Sequence, residues 1–174
     1  VIERGSRVEK RTCDVQKFWE SGILNPKSNV QFGEGGAGTF SDGKLNTSVK
    51  DPSGRNRLVL ETFVRFGADP SILYDNKPHI GTDVLSEVIV NMHEFLVGKG
   101  VTFVFDTCVN NLDIVSQKLL SVYTDSDSNS NSEIKTDVCV LALGHSARDT
   151  FDMLYNKGFD MECKSFAVGF RVEH

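Results

Sequence analysis

The apolar run at residues 138–143, VCVLAL, constrains the fold of this chain more than any other segment. Successive apolar residues without polar alternation predict a strand that is buried on both faces. Such strands belong to parallel sheets that helices cover on both sides. Gly144 follows the run, and a helix is predicted from about Ala147 to Asn156, closed by Gly158. The run therefore predicts an α/β fold built on a parallel sheet.

Further elements follow from hydrophobic spacing and from turn residues. Helices are predicted at residues 7–20, 57–66 and from Thr82 or Asp83 to Gly98, and strands at 1–5, 101–105, 107–112, 118–124 and 166–172. The strands at 107–112 and 118–124 predict a small antiparallel meander beside the parallel sheet. The segment DSDSNSNSE at residues 125–133 is predicted to be a surface loop without function. Residues 25–55 are predicted to form a long functional loop.

Composition narrows the classes of function. The net charge of −5 argues against a nucleic-acid partner, and no apolar run approaches the roughly 20 residues that span a membrane. The 4 cysteines form no CxxC pair and no metal-ligand spacing with histidine, so no metal site is expected. Cys108 and Cys139 are interpreted as small core residues. Scattered thiols favour a reducing, cytoplasmic location, with organellar targeting left open.

Residues 33–38, GEGGAG, match the letters of the dinucleotide fingerprint G-x-G-x-x-G but not its context. That fingerprint needs a buried strand before it, a helix opening at its third glycine, and an acidic residue about 20 positions later. The sequence around residues 29–44 predicts neither the strand nor the helix. The glycines are therefore interpreted either as a flexible loop or as a loop that approaches a planar or phosphorylated ligand closely.

Glu3 is the candidate for the acidic residue of a dinucleotide fold. It closes the opening strand, where a carboxylate binds both ribose hydroxyls if the first strand, glycine turn and helix lie upstream. The alternative is a surface glutamate at a strand end. Because strand-like segments stand at both ends, the chain is interpreted as an internal piece of a longer protein, truncated at both ends.

The motifs VIERG, SNVQFGEGGAGTFSDGKL, KPHIGTD, VLALGHSARDTF and FAVGFRVEH cover essentially the whole chain. In order and spacing they resemble the uncharacterised FAD-dependent dehydrogenases, which are similar to the glutathione-reductase-like flavoproteins with two dinucleotide-binding folds. The resemblance implies a three-layer, Rossmann-like FAD/NAD(P)-binding fold with the small meander. It implies a partial FAD-binding domain at residues 1–150, with a cofactor-contacting insertion at 25–80, and the start of a substrate-side domain at 151–174.

The same resemblance implies roles for particular residues. Glu3 would bind the adenosine ribose, the loop at residues 33–44 would lie along the pyrophosphate and flavin, and Val109 would meet adenine through its backbone. His145 and Arg148 are open between substrate-side groups and a plain helix start. The full set implied to bind the cofactor is Glu3, Arg4, Gly33, Gly35, Gly36, Gly38, Thr39, Ser41, Asp42, Gly43, Lys44, Val109, Gly144, His145, Ser146 and Arg148.

The function implied for the complete protein is hydride or electron transfer through FAD, with NAD(P)H as the candidate electron donor. Lys44 and the loop amides would stabilise negative charge on reduced flavin. A small-molecule substrate is the expected partner, and the sequence predicts no catalytic acid or base. The alternative is a non-catalytic flavin- or nucleotide-binding module.

Overall fold

The computed structural model describes residues 1–41, 43–45, 51–75, 77–126, 129–166 and 168–169. Within these residues the fold is mixed α/β, with four α-helices and one three-stranded antiparallel sheet. The helices are α1 (Val8–Ser21), α2 (Arg55–Arg65), α3 (Thr82–Gly98) and α4 (Arg148–Asn156). The strands are β1 (Thr107–Val115), β2 (Lys118–Ser126) and β3 (Asn129–Lys135). The mixed α/β class and all four predicted helices are confirmed.

The predicted meander is present and is larger than expected. β1 and β2 pair antiparallel and are joined by Ser116 and Gln117, both with positive φ (51° and 63°), a conformation that suits the twist of a two-residue hairpin. The prediction of a surface loop at residues 125–133 was wrong at the described positions, because β3 pairs with β2 from Ser121↔Lys135 to Ser126↔Asn129; residues 127 and 128 lie outside the described residues. Serine and asparagine have low strand propensity, but backbone pairing along β2 overrides it.

The opening residues run parallel to the segment that follows α3. Ile2 and Val104 form a parallel bridge, flanked by backbone bonds from the Glu3 N–H to the Val104 carbonyl (2.9 Å) and from the Val104 N–H to the Val1 carbonyl (2.8 Å). The Thr107 N–H then donates to the Glu3 carbonyl at 3.1 Å. Parallel pairing of this kind is the local pattern that the predicted α/β fold requires.

The predicted buried strand at residues 138–143 is not found. The segment contains no assigned strand, and Val138 and Val140 are 71% and 86% exposed. Cys139 is exposed too, so its interpretation as a core residue was wrong. A strand buried on both faces needs neighbours on both sides, and among the described residues only Leu143 of this run reaches a core. The described residues include no strand or helix that covers the rest of this apolar run.

The predicted strand at residues 166–172 is also not found where the structure describes it. Phe166 and Val168 lie outside any assigned strand and are 80% and 76% exposed. Positions 167 and 170–172 lie outside the described residues. At positions 166, 168 and 169, apolar character therefore does not lead to strand pairing.

Two apolar cores hold the described elements together. The first joins α2 and α3 through Ala68, Ile72, Ile80, Leu85 and Val88. The second packs α4 on the meander, and its fully buried members are Leu112, Val122 and Leu154. The expected domain boundary after residue 150 falls within α4, whose Leu154 belongs to the second core.

Candidate functional site

A cleft of about 230 Å³ opens where the carboxyl end of the opening segment meets the glycine loop. We define the glycine loop as residues 33–38 and the cleft by its walls. These walls are residues 2–4, 31–33, 36–37, 107–109, 142–147 and Thr150. The lining combines apolar residues, among them Ile2, Ala142 and Leu143, with polar ones such as Glu3 and Arg4. Clefts with an apolar body and few convergent polar groups are the usual form of small-molecule sites.

Glu3 is held in the cleft by the backbone around it. Its Oε1 accepts hydrogen bonds from the Gly5 N–H (2.8 Å) and the Gly33 N–H (2.9 Å). Its Oε2 has no hydrogen-bond partner among the described residues. The first oxygen therefore fixes the carboxylate, and the second remains able to accept hydrogen bonds from a ligand.

The glycine loop packs tightly on the opening segment. A Cβ built on Gly5 would lie 2.5 Å from the Gly33 Cα, so the two backbones approach more closely than any side chain allows. The loop has no regular strand before it, and only a short 3₁₀ turn, Ala37–Phe40, follows. The prediction that GEGGAG lacks the preceding strand and the following α-helix of a dinucleotide fingerprint is confirmed. Its glycines instead serve close contact and, at Gly33, Gly35 and Gly36, positive φ.

Arg11 lies inside the glycine loop and is fully buried. Its Nε donates to the Asn29 carbonyl (2.8 Å), and its Nη1 donates to the carbonyls of Glu34 (2.7 Å) and Gly36 (2.9 Å). Its Cζ stands 4.8 Å from the centre of the Phe40 ring. Burial lowers the pKa of Arg11 to about 10, which the Glu3 carboxylate opposes, so the guanidinium is charged at neutral pH.

Glu34 joins the glycine loop to two helices. Its Oε2 accepts from the Val8 N–H at the start of α1 (3.0 Å), and its Oε1 lies 2.6 Å from Nδ1 of His93 on α3. A carboxylate at a helix N-terminus satisfies a backbone donor that the helix leaves unpaired. His93 in turn packs against the Phe103 ring at 4.4 Å. The loop is therefore anchored from inside by Arg11 and from its side by Glu34.

Arg4 ties the cleft to α4. Its Nη2 donates to both carboxylate oxygens of Asp149 (2.7 and 2.8 Å) and to the Cys108 sulfur (3.1 Å), and its guanidinium lies over the Phe32 ring. Burial acts to raise the pKa of Asp149, but hydrogen bonds from Arg4 and from the Thr150 N–H hold it below its usual value. The Arg4 guanidinium is thus hydrogen-bonded to Asp149 of α4, and these contacts hold α4 against the opening segment.

Cys108 is the thiol that lines the cleft. Burial raises the pKa of this thiol, and the nearby Arg4 opposes the shift only in part. The thiol is therefore protonated at neutral pH, whereas a nucleophilic cysteine has to be a thiolate. Cys108 contributes a small, weakly polar wall rather than a reactive group.

The structure divides the residues implied by the family resemblance into two groups. Those that line the cleft are Glu3, Arg4, Gly33, Gly36, Val109, Gly144, His145 and Ser146. Those that do not line it are Gly35, Gly38, Thr39, Ser41, Gly43, Lys44 and Arg148. Asp42 lies outside the described residues. The cleft is thus lined by the opening segment, by residues 144–146 and by Gly33 and Gly36 of the glycine loop.

The structure shows where three of the residues that do not line the cleft lie instead. Thr39 is fully buried, and its Oγ1 would lie 2.3 Å from a Cβ on Gly35, so its hydroxyl does not face the cleft. Lys44 is exposed and forms an antiparallel bridge with His79, outside the cleft walls. Arg148 is exposed at the first position of α4.

Sequence reasoning missed Arg11 and Glu34, although each left a signal. Arg11 stands with Val8 and Val15 at helical spacing on the buried stripe of α1, where a charged residue is unusual unless it is paired. Glu34 is the charged residue within the glycine run. Among the described residues no cluster of three potential ligands would hold a metal ion, and no helix is both long and apolar enough to cross a membrane.

Comparison with known proteins gives a relative without an assigned activity. No protein-family model matches the chain. A protein of Clostridium beijerinckii, described as an uncharacterized protein, is 44% identical over 174 residues. The chain spans 31% of the length of this relative. This sequence similarity therefore assigns no activity to the chain.

Proposed function

We propose that this chain forms the adenosine-binding part of an FAD-dependent oxidoreductase. In that protein, FAD would supply hydride or electron transfer to or from a small-molecule substrate, with NAD(P)H as electron donor. The observation that carries the proposal is Glu3, whose Oε1 is fixed by two backbone amides while its Oε2 remains open in the cleft. An oriented carboxylate at a strand end suits the two hydroxyls of a ribose.

The size of the cleft fits a portion of the cofactor. Its volume of about 230 Å³ is below the roughly 300 Å³ at which whole small-molecule sites begin. An adenosine moiety is of the right scale, whereas a complete dinucleotide is not. The chain's own groups would orient this half: Glu3 by hydrogen bonding, Val109 and the rim at residues 144–146 by contact.

We further propose that the fold is the Rossmann-like, three-layer arrangement. The parallel bridge between Ile2 and Val104 supplies one pair of its sheet. In the complete protein, the apolar run at residues 138–143, which is exposed in this structure, would pair as a second strand. Glu3 and Gly144 then follow the carboxyl ends of two strands, where open α/β sheets bind their ligands. The neighbour of this second strand would be a parallel strand from elsewhere in the complete protein.

Amide hydrogen exchange tests this arrangement of the sheet. In the protein expressed from its complete gene, the amides of residues 138–143 should exchange slowly, because a paired and covered strand protects them. The exposed Leu24 and Asn25, whose amides donate to no other described residue, provide the fast-exchanging reference. Exchange at 138–143 as fast as in that reference would rule out a buried strand.

The cofactor itself is tested by purification. The protein expressed from its complete gene should show the visible absorption of bound flavin, and heat denaturation should release FAD rather than FMN. Addition of NADH or NADPH without oxygen should bleach that absorption. A colourless protein that retains a nucleotide would contradict the flavin assignment. Bound FAD that neither nicotinamide reduces would instead favour the non-catalytic module.

A further inference from the structure

The buried guanidinium of Arg11 draws the carbonyls of the glycine loop inward. Among the described residues, Nη1 donates only to the loop, to the carbonyls of Gly33 (3.3 Å), Glu34 (2.7 Å) and Gly36 (2.9 Å). The chain contains no cis peptide bond among its described residues. In a trans peptide the N–H points away from the carbonyl of the same peptide unit. The Ala37 N–H, which shares its peptide with the Gly36 carbonyl, therefore points away from Arg11.

The Ala37 amide is free to meet a ligand. Gly36 and Ala37 both line the cleft, and the Ala37 N–H donates to no other described residue. Beneath it lies a charge whose second terminal nitrogen, Nη2, is buried without a hydrogen-bond partner among the described residues. A buried, incompletely satisfied cation strengthens the attraction of the nearby backbone for an anion.

The geometry of Gly33 shows that the loop is shaped around Arg11. A Cβ on Gly33 would lie 2.3 Å from the Arg11 Cδ, and Gly33 has a φ of +126°. The loop thus accommodates the arginine at a position where only glycine fits. A leucine at position 11 would fill the space but would leave the carbonyls of Asn29, Glu34 and Gly36 without these donors.

We infer that Arg11 is a positioning residue, which turns the Ala37 N–H towards a phosphate group of the ligand bound in the cleft. This inference rests on the proposed function, since it assumes a nucleotide whose ribose lies at Glu3. Arg11 itself does not touch the ligand. It acts through the carbonyls that it holds, and the guanidinium fork is needed because it reaches the Asn29 carbonyl through Nε and the loop carbonyls through Nη1.

The test compares ADP with adenosine on the flavin-free protein expressed from its complete gene. Arg11→Lys keeps the charge but loses the fork, and it should weaken ADP binding by about 10-fold, the size of one charge-assisted hydrogen bond. Adenosine binding should change by less than about 2-fold, because adenosine has no phosphate. Arg55→Lys, on an exposed arginine of α2, is the matched control and should alter neither constant.

A second variant removes the amide directly. Ala37→Pro deletes this N–H, and proline is tolerated at the first position of a helical turn, which Ala37 occupies. It should reproduce the selective loss of ADP affinity. Equal losses for ADP and adenosine in both variants, or no loss in either, would overturn the role of Arg11. Failure of the unaltered protein to bind adenosine would instead overturn the proposed function, and the inference with it.

Discussion

Glu3→Gln is expected to weaken adenosine binding to the flavin-free protein by about 100-fold, since hydrogen bonds to a charged acceptor contribute about 1.5–3 kcal/mol each. The glutamine carbonyl still accepts from the amides of Gly5 and Gly33, so the local structure is retained. Its NH₂ group then stands where the ribose hydroxyls need an acceptor. Isothermal titration measures the change, and the melting temperature should stay within about 2 °C of the unaltered protein.

The matched control for this prediction is Glu9→Gln. Glu9 lies on α1 with a 53% exposed side chain, where it pairs with Arg7. Its neutralisation changes the net charge by the same amount and should leave adenosine affinity unchanged. An unaltered dissociation constant in Glu3→Gln would show that the open carboxylate oxygen is not the ribose acceptor.

Gly33→Ala is expected to destabilise the protein by about 3 kcal/mol, the combined cost of strained backbone and of overpacking. At the φ of +126° an L side chain is disfavoured, and the added Cβ would meet the Arg11 Cδ at 2.3 Å. Thermal unfolding followed by circular dichroism should show a melting temperature lower by roughly 6–12 °C.

Gly22→Ala separates the two parts of this effect. Gly22 has a φ of +72° after α1, but a Cβ there would meet no atom within 4 Å. It should lose only the backbone part, about 1 kcal/mol. If Gly33→Ala melts at the same temperature as Gly22→Ala, the close packing of Arg11 against the glycine loop is wrong.

The helices were predictable from the sequence because their signals are local. Apolar spacing marked α2 and α3, and Gly158 marked where α4 ends. The failure at β3 has a physical origin as well. Serine and asparagine have no strand preference of their own, and a strand made of them forms only because β2 offers a partner.

The apolar run at residues 138–143 shows the opposite limit. Its composition predicts burial, yet Val140 is 86% exposed because burial depends on neighbouring elements. The same holds for the site. Glu3 could be found from its position at a strand end, whereas Arg11 could not be assigned to the glycine loop until the fold placed Gly36 and Asn29 beside it.

The most direct measurement is a crystal structure of the flavin-bound protein expressed from its complete gene. We predict a ribose hydroxyl of the adenosine half within about 3.2 Å of the Glu3 Oε2. The phosphate nearest the glycine loop should accept from the Ala37 N–H. An adenosine ribose bound away from Glu3, or a cleft at residues 2–4 that holds no part of the cofactor, would contradict the assignment of this cleft to the cofactor.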